Sequence, residues 1–238
     1  MNVPNPASFT TELVLALALL PAALCCLYLL ALTLLSGRAR TPSPSTRQLR
    51  FDVVVPAHNE QATIGRTVRS LLALDWPRDC YRVLVVADNC TDATAAAARG
   101  AGAHVVERVD PERRAKGYAL QYAFAISRTL GWAEAVVVVD ADSEVSPHLL
   151  EAFAARLERG APAVQARYGV LNPMDSWRTR LITVAKACFH DVRSRARERL
   201  ALSCGIRGNG WCVPHRTLHR VPYRAFSLAE DVEYGLAL

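Results

Sequence analysis

FDVVVPAHNE, residues 51–60, decides the fold. Phe51 to Val55 is a Val-rich run stopped by Pro56 and a polar cluster, the pattern of a buried strand. Glu60 to Leu74 follows, with Ile64, Val68, Leu71 and Leu72 at helical spacing. The same alternation repeats downstream. YRVLVVA, residues 81–87, reads as a second strand, and Ala93 to Ala101 as an Ala-rich helix. His104 to Glu107 is a short third strand and Gly117 to Thr129 a helix. Ala135 to Val139 is a fourth strand ended by Asp140, and Pro147 to Arg159 another helix. Strands alternating with helices predict an α/β domain, a mostly parallel sheet with helices on both faces. Ligands of such sheets bind beyond the carboxyl ends of the strands.

Those ends carry the chemistry. Pro56-Ala57-His58-Asn59-Glu60 follows the first strand, Asp88-Asn89-Cys90-Thr91-Asp92 the second, and Asp140-Ala141-Asp142-Ser143 the fourth. Carboxylates gathered at one crevice repel unless a cation or hydrogen-bond donors compensate. Asp-x-Asp at a strand end suits Mg²⁺ or Mn²⁺, with diphosphate oxygens and water completing an octahedron. Taken singly, Asp88, Asp92 and Asp142 also fit helix N-caps; their recurrence on successive strand ends points to a site.

Arg113, Arg114 and Lys116 precede the helix that opens at Gly117, and Lys116 is one of two lysines in the chain. Backbone amides at a helix start together with a lysine suit an anion, although a basic run also reads as solvated loop. CGIRGNGW, residues 204–211, packs three glycines where backbone must approach something closely or take positive φ. It is not G-x-G-x-x-G and does not follow the first strand, so a dinucleotide fingerprint is not supported. Ser227 and Glu230 fit a helix capping box; Asp231 has no such structural explanation.

Of 238 residues, 51% are hydrophobic and 21% charged, with a net charge of +6. That excludes a disordered chain, and seven cysteines without a CxxC pair exclude a disulfide scaffold and a zinc finger. The apolar content is concentrated in Leu13 to Leu35, which has no charged residue and is long enough to span a bilayer as a helix. Arg38, Arg40, Arg47 and Arg50 follow it and no Lys or Arg precedes it. The positive-inside rule therefore predicts an external N-terminus and a cytoplasmic domain. The expected organisation is a tail over 1–12, a span over 13–35, an extended linker over 36–50 and a domain over 51–238. Ser176 to Ala201 mixes Leu181, Ile182, Val184, Phe189 and Val192 with arginines, which fits either a membrane-surface helix or a solvated one.

VVVPAHNE, ADNCTD, RRAKGYAL, VVDADS, RGNG and AEDVEY occur in that order. The set resembles the family 2 glycosyltransferases of the GT-A fold, in particular membrane-attached ones similar to cellulose, chitin and hyaluronan synthases. The resemblance covers Phe51 to the end. It implies transfer of a hexose, with inversion, from a nucleotide-diphosphate donor (UDP-linked by resemblance) to a glycan or lipid-linked acceptor, with Mg²⁺ or Mn²⁺. Pro56, Asn59 and Glu60 would form the first nucleotide-contacting loop, and Asp88 would contact the base. Lys116 would touch the diphosphate. Asp140 and Asp142 would be the D-x-D, Asp142 the direct metal ligand. Gly208, Asn209 and Gly210 would lie where donor sugar and acceptor meet, and Glu230 and Asp231 would be the catalytic pair, Asp231 the general base. Processive relatives also carry Q-x-x-R-W after this point. None occurs here, so the chain is either part of a longer protein or one that builds no polymer channel.

Three other classes compete. A haloacid-dehalogenase-type phosphotransferase also ends an apolar strand in D-x-D, but its nucleophilic Asp belongs on the first strand. A non-catalytic membrane subunit shares the fold without the reaction. Nucleic-acid binding lacks support, because the basic stretches have no interleaved aromatics.

Overall fold

The structure, a computed structural model, describes residues 6–37 and 43–238. The chain forms two compact units. One comprises Met1–Arg40 and Asn172–Cys204, the other Thr41–Leu171 and Gly205–Leu238.

The first unit is helical. Helix α1 (Pro6–Leu35) begins seven residues before the expected span and passes through Pro21. Its Thr10–Leu35 portion has a mean hydropathy of 2.6 and, among the described residues, is the one helix long and apolar enough to cross a membrane. Ser176 to Ala201 is helical as expected, but in three joined pieces. They are α6 (Trp177–Lys186), a π-helical stretch (Ala187–Arg193) and α7 (Ser194–Arg199). A reciprocal capping box starts α6: Thr179 N–H donates to Ser176 Oγ at 3.1 Å, and Ser176 N–H to Thr179 Oγ1 at 2.9 Å. Leu32 is buried within this unit, and Arg197 donates to the Tyr28 hydroxyl at 2.8 Å. Trp177, Leu181, Ile182, Val184 and Phe189 are exposed.

The second unit is the α/β domain. Its strands are β1 (Phe51–Ala57), β2 (Tyr81–Asp88), β3 (His104–Arg108), β4 (Ala135–Val138), β5 (Val164–Gln165) and β6 (Trp211–Pro214). Their order is β3-β2-β1-β4-β6-β5. The first four are parallel, as the alternation predicts; β6 runs antiparallel to β4, and β5 antiparallel to β6. Val53, Val54, Val55, Val85, Val136 and Val137 are all buried, because helices cover both faces. Helices α2 (Ile64–Leu72), α3 (Thr94–Gly100) and α5 (Leu149–Glu158) pack one face. Helices α4 (Lys116–Leu130), α8 (His215–Arg220) and α9 (Glu230–Ala237) pack the other, joining Leu120, Phe124, Leu218 and Tyr234 to Trp211.

One expectation needs correction. Pro56 does not end β1, which runs on to Ala57. Val54 C=O faces β4, accepting from Val139 N–H, so the backbone of Pro56, two residues on, faces that side too. β4 pairing stops at Val54, so no ladder bond needs the N–H that proline lacks. The described part of the expected linker, 43–50, has no helix or strand and is tied to the domain. Ser45 N–H donates to Glu151 Oε1 at 2.5 Å, Thr46 N–H to Glu158 Oε2 at 2.9 Å, and Arg47 to Glu134 at 2.9 Å; Leu49 is buried. Its backbone and hydroxyl donors find carboxylates on α5. Residues 38–42 of that linker, and 1–5 of the expected tail, lie outside the described residues.

Candidate active site

The ends of β1 and β2 are stitched loop to loop. His58 Nδ1 lies 2.7 Å from the Asp88 carbonyl. Asn59 Oδ1 accepts from Thr91 N–H at 2.8 Å, and Glu60 N–H donates to Thr94 Oγ1 at 2.7 Å. Asn59 and Asn89 take positive φ, 56° and 51°, a conformation asparagine tolerates well. The Glu60 carboxylate accepts from the Thr63 hydroxyl at 2.6 Å. Asp92 is structural: it accepts from Thr94 N–H, Thr94 Oγ1 and Gln61 N–H, and the Thr94 hydroxyl chiefly holds its carboxyl below the usual range. Asp88 is buried against Arg108 at 2.6 Å, and Arg108 also reaches Asp110 at 2.9 Å and the Arg113 carbonyl at 3.0 Å.

A second network surrounds the end of β4. Lys116 Nζ donates to Asp140 Oδ1 at 2.6 Å, approaches Glu230 Oε1 at 3.3 Å and reaches the Gly208 carbonyl at 3.3 Å. Burial works against its charge, but Asp140 and then Glu230 outweigh it and hold the ammonium pKa above its ordinary value. Asp140 N–H donates to Asn209 Oδ1 at 3.0 Å, and Asn209 Nδ2 to Ser143 Oγ at 2.6 Å. Ser143 Oγ donates to Asp142 Oδ1 at 3.3 Å, and Asp142 is otherwise exposed. The Gly208 amide donates to Asp231 Oδ2. Gly210 belongs to the sheet edge, donating to the Val138 carbonyl at 3.0 Å and accepting from Ala166 at 2.7 Å.

The expected capping box does not form. The N-cap of α9 is Ala229, without a side-chain cap. Glu233 instead accepts from Phe226 and Ser227 N–H, both at 3.1 Å, and Glu230 turns inward to Lys116.

The two networks meet through one segment. Arg108 stands over the Tyr118 ring at 5.8 Å, and Tyr118 stacks on Phe226 at 4.4 Å, two residues from Lys116 in one direction and close to α9 in the other. Gly117 permits this junction: a Cβ there would lie 2.1 Å from the Ala225 carbonyl oxygen.

Three contributors, Arg108, Gln165 and Tyr168, are not marked in the sequence, and a fourth, Ser143, only by its place in a cluster. Arg108 sits on a strand too short to announce its neighbours. Gln165 donates to the Asn209 carbonyl at 2.8 Å and accepts from Arg207 N–H at 2.7 Å, bracing the glycine loop. Ser143 was legible only as part of the turn. Tyr168 lies in this site, its hydroxyl 3.4 Å from where a Gly208 Cβ would stand. Burial pushes that hydroxyl's pKa up; Asp231 and Asp140 add to the shift while Arg207 and Lys116 oppose it.

Asp140, Asp142 and the Ser143 hydroxyl are hard oxygen donors on one turn. Among the described residues no three His, Cys, Asp or Glu side chains are grouped to hold a metal ion. A Mg²⁺ or Mn²⁺ shared with phosphate oxygens and water needs only one or two carboxylates, and this donor set fits that kind of site.

A mostly parallel sheet with carboxylates from three strand ends, a lysine and a glycine loop at its carboxyl edge defines an α/β protein of the GT-A type. The model for the Glycosyl transferase family 2 matches residues 52–212, and the chain belongs to that family. It is 25% identical over 195 residues to the probable glycosyltransferase YdaM of Bacillus subtilis, covering 77% of this chain and 45% of that protein. The chain thus spans less than half the length of that curated relative. Among solved structures it is similar to the mannosyltransferase PcManGT from Pyrobaculum calidifontis, determined with GDP-Man and Mn²⁺. That likeness has TM-score 0.64 and 23% identity, and covers 93% of this chain and 61% of that one. Glucosyl-3-phosphoglycerate synthase from Mycobacterium tuberculosis gives TM-score 0.54 and 25% identity over 79% of this chain and 64% of that one.

Proposed function

We propose that this glycosyltransferase moves a hexose from a nucleotide-diphosphate donor to an acceptor hydroxyl in one inverting displacement. The observation that carries the reading is the convergence of Lys116, Asp140, Glu230, Asn209 and Asp231 from four chain segments into one hydrogen-bonded network. Asn59, Glu60 and the backbone at Pro56 form the wall of the nucleoside subsite, with Asp88 presented to the base and braced by Arg108. Lys116 serves the diphosphate. Asp140 and Asp142 would hold Mg²⁺ or Mn²⁺, and the ion, when bound, would supply charge neutralisation for the leaving diphosphate. Gly208, Asn209 and Gly210 shape the junction of sugar and acceptor.

Asp231 accepts the proton of the acceptor hydroxyl as its oxygen bonds to the anomeric carbon. The bond from that carbon to the diphosphate oxygen breaks, and the oxygen keeps the electron pair. A carboxylate base in reach contributes about 10²–10⁴-fold, and fixed positive charge on the departing oxygens stabilises the charge that develops.

In the same reading the protein works at a membrane. Thr10–Leu35 crosses it with the domain on the cytoplasmic side, and the exposed apolar residues and arginines of α6 and α7 rest on its surface. The acceptor is then a glycan or a lipid-linked group.

A thermal-shift panel tests the donor assignment. UDP-glucose and GDP-mannose, the donors held with Mn²⁺ in solved structures of this fold, are added to the detergent-solubilised chain with and without Mn²⁺. A ligand that binds only the folded form raises the midpoint with ln(1 + [L]/Kd). A Mn²⁺-dependent rise with one donor is expected. No rise with either would refute the donor assignment.

A further inference from the structure

Lys116 has two assignments that compete at one carboxylate. It serves the donor diphosphate, yet its ammonium rests on Asp140, one of the two carboxylates assigned to the divalent cation. Its acceptors are Asp140 Oδ1 at 2.6 Å, Glu230 Oε1 at 3.3 Å and the Gly208 carbonyl at 3.3 Å. An ammonium has three protons, so these acceptors saturate it. A divalent ion on Asp140 would face this ammonium across one carboxylate, and like charges at that range repel strongly.

Glu230 is the other half of the arrangement. It is 7% exposed, and a buried carboxylate needs a partner. Lys116 is that partner.

We propose that Lys116 is a cation placeholder: without donor it closes the metal site by occupying Asp140, and the arriving diphosphate opens the site by drawing it off. Glu230 is the positioning residue on which Lys116 pivots, exchanging Asp140 for a phosphate oxygen while the buried carboxylate keeps its partner. Metal and nucleotide then bind cooperatively, and by linkage each tightens the other equally. The inference rests on the assignment of Asp140 and Asp142 to the cation, and its test separates the two.

Mn²⁺ binding is followed by electron paramagnetic resonance on the full chain, without nucleotide and with UDP or GDP, corrected for Mn²⁺ held by free nucleotide. Wild type is expected to bind Mn²⁺ at least tenfold more weakly alone than with the nucleotide it accepts. Lys116→Met is expected to bind Mn²⁺ alone at least tenfold more tightly than wild type, and to lose most of the nucleotide effect. Arg114→Gln, which removes the same charge nearby without touching Asp140, should change Mn²⁺ affinity less than twofold. Glu230→Gln should weaken nucleotide binding at least fivefold, because the pivot is lost. The placeholder is overturned if Lys116→Met leaves Mn²⁺ affinity within twofold of wild type, or if Arg114→Gln has an equal effect. Should Lys116→Met fail to fold, wild type alone still decides: equal Mn²⁺ affinity with and without nucleotide overturns it. Asp142→Ala retaining full Mn²⁺ binding with nucleotide would instead refute the metal assignment itself.

Discussion

Asn209 straps the Asp140–Ser143 turn at both ends: its side-chain oxygen accepts from the Asp140 amide at 3.0 Å, and its side-chain nitrogen donates to Ser143 Oγ at 2.6 Å. The glycine loop and the D-x-D turn are therefore one unit, although they lie far apart in sequence. Asn209→Ala leaves the Asp140 amide without its acceptor, at a cost of about 1–3 kcal/mol. Chemical denaturation should show that loss, and titration should show weaker Mn²⁺ binding with nucleotide present. Stability and Mn²⁺ affinity both equal to wild type would mean that the strap is idle.

Gly117→Ala places a methyl 2.1 Å from the Ala225 carbonyl, which is backbone and yields little. Overpacking of this kind costs about 1–3 kcal/mol. The variant should unfold at correspondingly lower denaturant, and the shift of α4 should carry Lys116 off Asp140. Unchanged stability would show that the 225–226 segment moves freely.

Asp88 depends on Arg108. Both side chains are about nine-tenths buried, so Arg108→Met strands a carboxylate. Breaking a buried pair costs about 3–5 kcal/mol. The double change Arg108→Met with Asp88→Asn should recover much of that stability but not nucleotide binding. A stable single variant would contradict the pairing.

The opposite end of the sheet carries a pH dependence. Asp52 is buried inside β1, held by Arg82 at 2.8 and 2.9 Å and by the Ser127 hydroxyl at 2.5 Å. His215 Nε2 lies 2.9 Å from the same hydroxyl. Burial lowers the His215 pKa below 6.5; Asp52 raises it in part and Arg128 adds to the lowering. The unfolded chain therefore binds this proton near pH 6.5 and the folded chain only at lower pH. In that window the unfolded state holds more protons, so stability falls as pH falls, by at most about 1.4 kcal/mol per pH unit. Melting temperatures of wild type should drop from pH 7 toward pH 5, and those of His215→Gln should drop less. Parallel curves would show that His215 titrates alike in both states.

β1, β2 and β4 were legible because buried parallel strands are continuous apolar runs, and Val53 to Val55, Val83 to Val86 and Val136 to Val139 are such runs. β5 and β6 were not. Val164–Gln165 is too short to show a period, and Trp211–Pro214 emerges from a glycine loop and ends in proline. Their antiparallel pairing is long-range, fixed by Trp211 packing against Phe124 and Tyr234 rather than by local preference. Within the site, carboxylates at strand ends stood out by position. Arg108, Gln165 and Tyr168 did not, because what they do depends on partners brought near only by the fold. Glu230 misled for the same reason: its spacing from Ser227 fits a cap, and only the packed structure turns it toward Lys116.

The most direct test of the central claim is Asp231→Asn. Asparagine keeps an oxygen for the Gly208 amide but cannot take a proton from the acceptor. With the donor and metal identified by thermal shift, the variant should lose at least 10²-fold in sugar transfer while its nucleotide Kd stays within threefold of wild type. Transfer at a near-normal rate would show that Asp231 is not the base and that the reaction is organised elsewhere.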